Sequence, residues 1–234
     1  MTIKLYELLG DEDRRYSQFS WRAKMALMHK GADFEAIPLL LTDKETIAFA
    51  NATSVPVMVD GGVVKTDSWD IAVYLDEAYP DAPSLLGGSI GEGVTRVINS
   101  WCDRAVNIAI GPLIARDVLD AAHPEDRDYF RESMEKMYKR TLEQVQEGRE
   151  DRVINLYRTM DPVRTALRKG QSFICGDGPG YADFVVFSQF QWARVTSPFQ
   201  LLAADDPVFD WRERMLDLND GFARNTACYE VSGR

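Results

Sequence analysis

The stretch from Thr53 to Ser68, T-S-V-P-V-M-V-D-G-G-V-V-K-T-D-S, constrains the fold more than any other part of the chain. Val55-Pro56 runs straight into an apolar strand over Pro56 to Val59, and Val63-Val64-Lys65 returns as a second strand. Between them, Asp60-Gly61-Gly62 supplies a tight turn, because glycine takes positive φ without steric cost. The segment therefore reads as a β-hairpin. Asp67-Ser68 then opens a run with helical apolar spacing at Trp69, Ile71, Ala72, Leu75 and Tyr79. Asp and Ser at a helix start cap free backbone N–H groups, and that end of a helix attracts anions. Proline is tolerated at the first position of a strand, and X-Pro is the one bond at which cis is at all common. A cis bond here would leave the Val55 backbone facing outward, free to pair with an extended ligand as an added strand. A carboxylate would then dock on the Ser68 amide and hydroxyl at the helix start. A hairpin headed by an ordinary trans proline is the competing reading.

Around this hairpin the chain falls into order. Thr2 to Glu7 alternates as a short strand, and a polar loop, Gly10 to Arg15, follows. Ser17 then precedes a helical pattern (Phe19, Trp21, Met25, Met28) that ends at Gly31, with Ser a preferred N-cap and Gly a preferred residue just past the C-terminus. Phe34 to Pro38 reads as a strand parallel to the first, which makes a βαβ unit with a right-handed crossover. Thr42 to Phe49 reads as a short helix. The order β-α-β-α-β-β-α over the first 80 or so residues is that of a thioredoxin-like sheet. The prolines and glycines of Tyr79 to Gly88 then break every periodicity. Beyond them only helical patterns occur: Val94 to Ile108, Tyr129 to Val145, Met160 to Leu167, Ala182 to Val195 and Pro207 to Phe222. The expected organisation is a sheet domain over 1–80, a linker over 81–88 and an all-α domain over 89–234.

Composition excludes several classes. The net charge is −10, from 27 basic and 37 acidic residues. That balance argues against nucleic-acid binding, which needs clustered basic charge to displace counterions. No apolar run approaches the ~20 residues needed to span a bilayer, and the chain enters its strand pattern from Met1 without a signal sequence. Cys102, Cys175 and Cys228 are an odd count without a CxxC pair, which is no disulfide framework and suits a reducing compartment. The simplest location is cytoplasmic. His29 and His123 are too few and too far apart for a metal site, and none is expected.

Val-Pro leading into a strand, Asp-Ser opening the next helix, a thioredoxin-like front and an all-helical back together resemble the soluble glutathione transferases. Gly180-Tyr181-Ala182-Asp183 is similar to that family's capped start of a buried helix, with Gly180 where Ser or Thr is usual. Gly is still an acceptable N-cap, at a cost of only tenths of a kcal/mol. Several segments look closer to the bacterial β-etherases and fungal-type (Fu) transferases: Tyr16 to Lys24, with Gln18 replacing a proline, Glu125 to Tyr129, Gln146 to Arg152, and Asp206 to Trp211.

The resemblance implies a reaction of glutathione, as cosubstrate, with a small aromatic electrophile, in a homodimer. A free thiol has a pKa of about 8.5. A hydroxyl that donates to the sulfur from the positive end of a helix stabilises the thiolate without becoming a base. Ser17 is the candidate for that role; it reads equally as a plain N-cap, and Tyr16 and Ser20 are the neighbouring hydroxyl alternatives. The resemblance also implies that Val55, ahead of Pro56, pairs with the cysteinyl backbone of glutathione. It has Asp67 and Ser68 hold the γ-glutamyl amine and carboxylate. Lys44 would reach the glycyl carboxylate, against a simpler reading as a solvated lysine. Arg22 and Lys24 read as packing or solvated residues. The electrophile pocket is expected between the domains, with Trp101, Arg104, Ile108 and Arg116 as its lining. Asp183 reads as structural, capping its helix at a cost of ~1 kcal/mol or more if replaced. Displacement of an aryloxide from a lignin-derived β-aryl ether, isomerisation or dehalogenation of a glutathione adduct, and binding without catalysis all stay open.

Overall fold

Ile3, Leu5 and Glu7 are buried while Lys4 points to solvent along the first strand, β1 (Ile3–Leu8), the alternation that a half-covered strand requires. The computed structural model describes residues 2–229; Met1 and the last five residues of the expected helical domain lie outside that range. β1 pairs in parallel with β2 (Phe34–Leu39) and antiparallel with β3 (Val57–Asp60), which pairs antiparallel with β4 (Val63–Lys65). The sheet order is β2-β1-β3-β4, and α1 (Gln18–His29) and α2 (Ser68–Ala78) complete a thioredoxin-like unit. The turn between β3 and β4 places Gly61 at φ 58°, where glycine avoids the Cβ clash of other residues.

The expected helix over 42–49 does not form. Only a single 3₁₀ turn, Ala48–Ala50, occurs there. Side chains claim the backbone first: the Asp43 carboxylate accepts from the Thr46 amide at 3.1 Å and hydroxyl at 2.7 Å. Such local bonds compete with helical ones.

The second half is α3 (Gly88–Trp101), a π-helical turn over Cys102–Val106, α4 (Asn107–Ala121), α5 (Arg127–Tyr138), α6 (Leu142–Gln146), α7 (Arg149–Thr159), α8 (Asp161–Arg168), α9 (Tyr181–Thr196) and α10 (Pro207–Gly221). Two features differ from the sequence reading. The single helix expected over 129–145 is broken at Lys139, which takes φ 56°, and Thr141 starts α6 with a reciprocal capping box to Gln144. Helix α7 had no sequence signal, because it is highly charged and buries only Leu156.

Helix α9 is buried along nearly its whole length and packs on α1 and α4. It ties the two halves together. The Tyr181 hydroxyl donates to the Ser68 carbonyl at 2.6 Å, and Arg22, 1 % exposed, donates to Ser188 at 3.3 Å, to Asn99 at 3.3 Å and to Asp103 at 2.5 Å. Lys24 forms a buried ion pair with Glu7 at 2.6 Å. Arg22 and Lys24 thus spend their charges inside the protein. A second seam joins the turn between α4 and α5 to the sheet domain. Gly10 bridges Ala122, where a Cβ would come within 2.6 Å of the Ala121 carbonyl. Arg127 pairs with Asp11 at 2.7 Å. The fully buried Asp126 carboxylate accepts from the Leu41 amide at 2.7 Å and from the Thr42 amide and hydroxyl at 3.0 and 2.8 Å.

Candidate active site

Between these two seams the carboxyl end of the sheet and helices α4, α5 and α9 leave a cleft of about 380 Å³. On the sheet side it is bordered by Tyr16, Ser17, Lys44, Ser54 and Val55. On the helical side its wall is apolar, chiefly Phe130, Met134, Met137 and Trp192, with Asn107 and Gly111 from α4.

Ser17 is buried and extended, with φ −70° and ψ 114°, and its Oγ accepts from the Ser20 amide at 3.2 Å as the N-cap of α1. A hydroxyl carries one O–H and two lone pairs. Accepting from the helix therefore leaves the Ser17 proton free to donate into the cleft. The same helix end adds its positive partial charge. Capping and stabilisation of an anion are compatible in one side chain. The Tyr16 hydroxyl is buried and makes no hydrogen bond within the described residues. Burial and then the nearby Asp126 carboxylate push its pKa up, so the phenol stays protonated. Ser20 Oγ is buried and unpartnered inside the helix.

The Val55–Pro56 bond is cis. Val55 borders the cleft, and among the described residues no backbone hydrogen bond occupies its N–H or C=O. Lys44 also borders it and has no carboxylate within ion-pair distance among the described residues. Burial lowers the pKa of its ammonium against the pull of Asp126 and Asp43. Its amide donates to the Thr42 carbonyl at 3.0 Å, so the Asp126 contact with Thr42 steadies the loop that carries it.

Pro56, Asp67 and Ser68 lie outside the cleft lining. Asp67 is the N-cap of α2 and accepts from the Trp69 amide at 2.8 Å, while Ser68 is buried, its carbonyl taken by Tyr181. The structure thus brings Ser17, Lys44 and Val55 together and leaves Asp67 and Ser68 at the neighbouring helix end.

Of the residues expected to line the electrophile pocket, none does so. Trp101 and Arg104 border a shallow outer groove with Val97 and Ser100, and Ile108 is exposed. Arg116 is engaged by Asp120 and, at 3.1 Å, by Glu143. The reason is helical phase. The face of α4 toward the cleft is Asn107, Gly111, Ala115 and Val118, spaced by four, four and three residues. Ile108, one position on from Asn107, faces outward, and Trp101, seven residues before it, lies on the same outer stripe. The residues missed are those of α5. Phe130, Met134 and Met137 belong to the helical pattern over Tyr129 to Val145 and were not among the expected site residues. The clue was two methionines on an otherwise charged helix, since flexible thioethers suit a binding wall.

No cysteine borders the cleft, and burial pushes the Cys102 thiol up to about 12. Among the described residues no cluster of three or more His, Cys, Asp or Glu is placed to hold a metal ion, and no helix is long and apolar enough to cross a membrane.

The chain matches the family model of the glutathione S-transferase N-terminal domain over residues 16–78 and that of the C-terminal domain over 94–205. It is 43 % identical over 74 residues to glutathione S-transferase Z1 of Arabidopsis thaliana, covering 30 % of this chain and 34 % of that one. It is 37 % identical over 87 residues to a probable maleylacetoacetate isomerase of Caenorhabditis elegans, covering 36 % and 41 %. In these matches the chain spans about a third of the length of the curated relatives. Its fold is similar to that of glutathione transferase GSTFuA2 from Phanerochaete chrysosporium, with a TM-score of 0.77, 23 % identity and coverage of 94 % and 93 %. It is also similar to CsGST63524 of Ceriporiopsis subvermispora in complex with glutathione, with a TM-score of 0.76, 20 % identity and coverage of 96 % and 94 %.

Proposed function

The chain belongs to the glutathione S-transferase superfamily, whose domain models cover its sheet half and its helical half, and from that premise we propose that it is a glutathione transferase with Ser17 steadying the thiolate. The observation that carries this reading is Ser17 itself, buried at the head of α1 and bordering the cleft, with one lone pair committed to Ser20 so that its O–H remains available to donate. The glutathione backbone adds beside Val55 as an extra strand. Lys44, a cation without an ion-pair partner among the described residues, receives the glycyl carboxylate. Asp67 and Ser68, at the start of α2, receive the γ-glutamyl amine and carboxylate, since opposite charges need different partners. The thiolate then attacks an electrophile seated against Phe130, Met134 and Trp192, and that wall supports an aromatic substrate.

The finer reading is displacement of an aryloxide from a β-aryl ether ketone, of the kind derived from lignin. It is supported by the segments Tyr16 to Lys24 and Asp206 to Trp211 and by the apolar wall. A second reading, glutathione-dependent isomerisation, is supported by the match to a probable maleylacetoacetate isomerase. A panel of aryl ethers, cis-enediones, haloalkanes and simple aryl halides separates these, and binding of glutathione without turnover of any of them favours a carrier. The expected homodimer finds a candidate face on the outer side of α3, where Ile90, Val94 and Val97 stand exposed one helical turn apart. Cytoplasmic location rests on the family alone.

Calorimetric titration with reduced glutathione tests the site, with Asp67→Ala as the binding control and Ser17→Gly as the chemical one. Glycine is nearly as good an N-cap as serine, so Ser17→Gly removes the hydroxyl while leaving α1 in place. Saturable binding to wild type, weakened in Asp67→Ala, is expected. Turnover of Ser17→Gly should fall about 10- to 100-fold near pH 7 and recover at alkaline pH, as the bound thiol returns toward its free pKa. Unchanged turnover removes Ser17 from its role, and no binding to wild type removes the site.

A further inference from the structure

Tyr16 directly precedes the thiolate candidate, borders the same cleft and is 4 % exposed, yet its hydroxyl has no partner among the described residues. A buried phenol left without a hydrogen bond is destabilising, and proteins seldom tolerate one unless a ligand or water completes it. Its ring is held in place. Cδ1 lies so close to Gly10 that a Cβ there would come within 3.0 Å, and Gly10 is itself bound to the α4–α5 turn. Gln18, Lys44, Ser54 and Tyr138 also line the cleft, but among the described residues none of them has a fully buried polar atom left without a partner. Asn107 donates to Gln189 at 3.0 Å, Ser17 caps α1, and Lys44 sits on the sheet-side loop. Asp126, just ahead of α5, is near enough to act on the phenol electrostatically. Phe130 and Met134, on the helix that follows Asp126, form the apolar wall of the same cleft.

We propose that the Tyr16 hydroxyl is the donor to the electrophile: it binds a carbonyl oxygen on the carbon next to the one attacked, and so directs the cleft to α-substituted aryl ketones. The aryl ring packs on Phe130 and Met134, and the carbonyl oxygen completes the hydrogen bond that the protein leaves open. As the thiolate forms its C–S bond, the C–O or C–halogen bond breaks and its electron pair departs on the aryloxide or halide. An aryloxide then takes up the proton that the thiol gave up. Tyr16 keeps its proton throughout, as its raised pKa requires. Electron density that builds on the carbonyl oxygen strengthens the bond from Tyr16, so the phenol acts on the transition state more than on binding. This inference rests on the reading of the cleft as a thiolate site.

The test is Tyr16→Phe assayed on two electrophiles that differ by one carbonyl, phenacyl chloride and benzyl chloride. Alongside it, calorimetric titration measures glutathione affinity and the ultraviolet absorbance of the bound thiolate is followed against pH. With phenacyl chloride kcat/KM should fall about 10- to 100-fold, the range for a hydrogen bond to a charged acceptor. With benzyl chloride it should change less than about 2-fold, since that substrate offers no oxygen. Glutathione affinity and the thiol titration should not move. The variant should melt no lower than wild type, because the hydroxyl it loses has no partner among the described residues. Equal losses on both electrophiles, or no loss on either, overturn the proposal. A rise in the bound thiol pKa overturns it by making Tyr16 a donor to sulfur, and a lowered melting point does so by exposing a structural partner. Failure of wild type to bind glutathione overturns the underlying reading first, and this proposal with it. Binding without turnover of phenacyl chloride overturns this proposal alone.

Discussion

Replacing Asp183 by alanine should cost far more than the loss of a helix cap. The carboxylate is completely buried and accepts four hydrogen bonds: from the Ile174 amide at 2.7 Å, Cys175 at 3.1 Å, Gly180 at 3.2 Å and Trp211 Nε1 at 2.9 Å. It thereby joins the loop before α9, the start of α9 and the middle of α10. In Asp183→Ala the donors of Ile174 and Cys175 lie on a partly exposed loop and regain water. Gly180 N and Trp211 Nε1 are buried and do not. Each stranded donor costs about 1–3 kcal/mol, so the loss centres on about 4 kcal/mol, a large part of the 5–15 kcal/mol that holds a typical domain. For a chain of this size that corresponds to a melting temperature lowered by about 8–16 °C. Asp183→Asn should lose roughly half as much: its oxygen still serves Ile174 and Trp211, while its NH₂ meets the donors of Cys175 and Gly180. Thermal melting followed by circular dichroism, with urea unfolding read by tryptophan fluorescence, measures both. A loss near 1 kcal/mol for alanine, the usual value of a lone cap, or equal losses for alanine and asparagine, would refute the four-donor account.

Two further perturbations address the cleft and the outer face. Asp126→Ala frees Thr42 and the loop carrying Lys44, so glutathione affinity should weaken about 3- to 10-fold, and that loss should vanish in a Lys44→Ala background; additive losses in a titration calorimeter would mean that Asp126 acts only on the fold. Val97→Glu puts a charge on the exposed α3 stripe, and sedimentation should then show a monomer where wild type is a dimer, with melting of the single chain little changed. A wild type that sediments as a monomer at micromolar concentration would dismiss this face as an interface.

The elements with local signatures were legible in the chain itself. Ser17 and Gly31 mark α1, Asp67 marks α2, and the Asp60-Gly61-Gly62 turn joins β3 to β4. These features act over three or four residues, through caps, turns and apolar period, and neighbouring residues suffice to specify them. Ser17, Lys44 and Val55 entered one candidate list through the resemblance of their motifs to a family, and the structure places all three on one cleft. Thr42 to Phe49 shows where local pattern fails: its helical spacing yields to side-chain bonds from Asp43 and from Asp126, 84 residues away from Thr42.

Tertiary structure decided the rest. The stripe of α4 that meets the cleft runs through Asn107 and Gly111, one position away from Ile108, while Trp101 and Arg104 border an outer groove. No count of apolar residues reveals that phase. The methionines of α5 are core or binding wall according to what packs opposite them, and the stripe on α3 is covered or bare according to what lies beside it. Asp183 looked like one cap because its sequence neighbours include one helix start, whereas Trp211 reaches it from 28 positions away. The chain by itself determined the elements marked by caps, tight turns or a clean apolar period, since those depend on short-range backbone chemistry. Which faces meet, and which polar atoms are left open between them, depends on contacts between distant segments, and these exist only in the folded molecule.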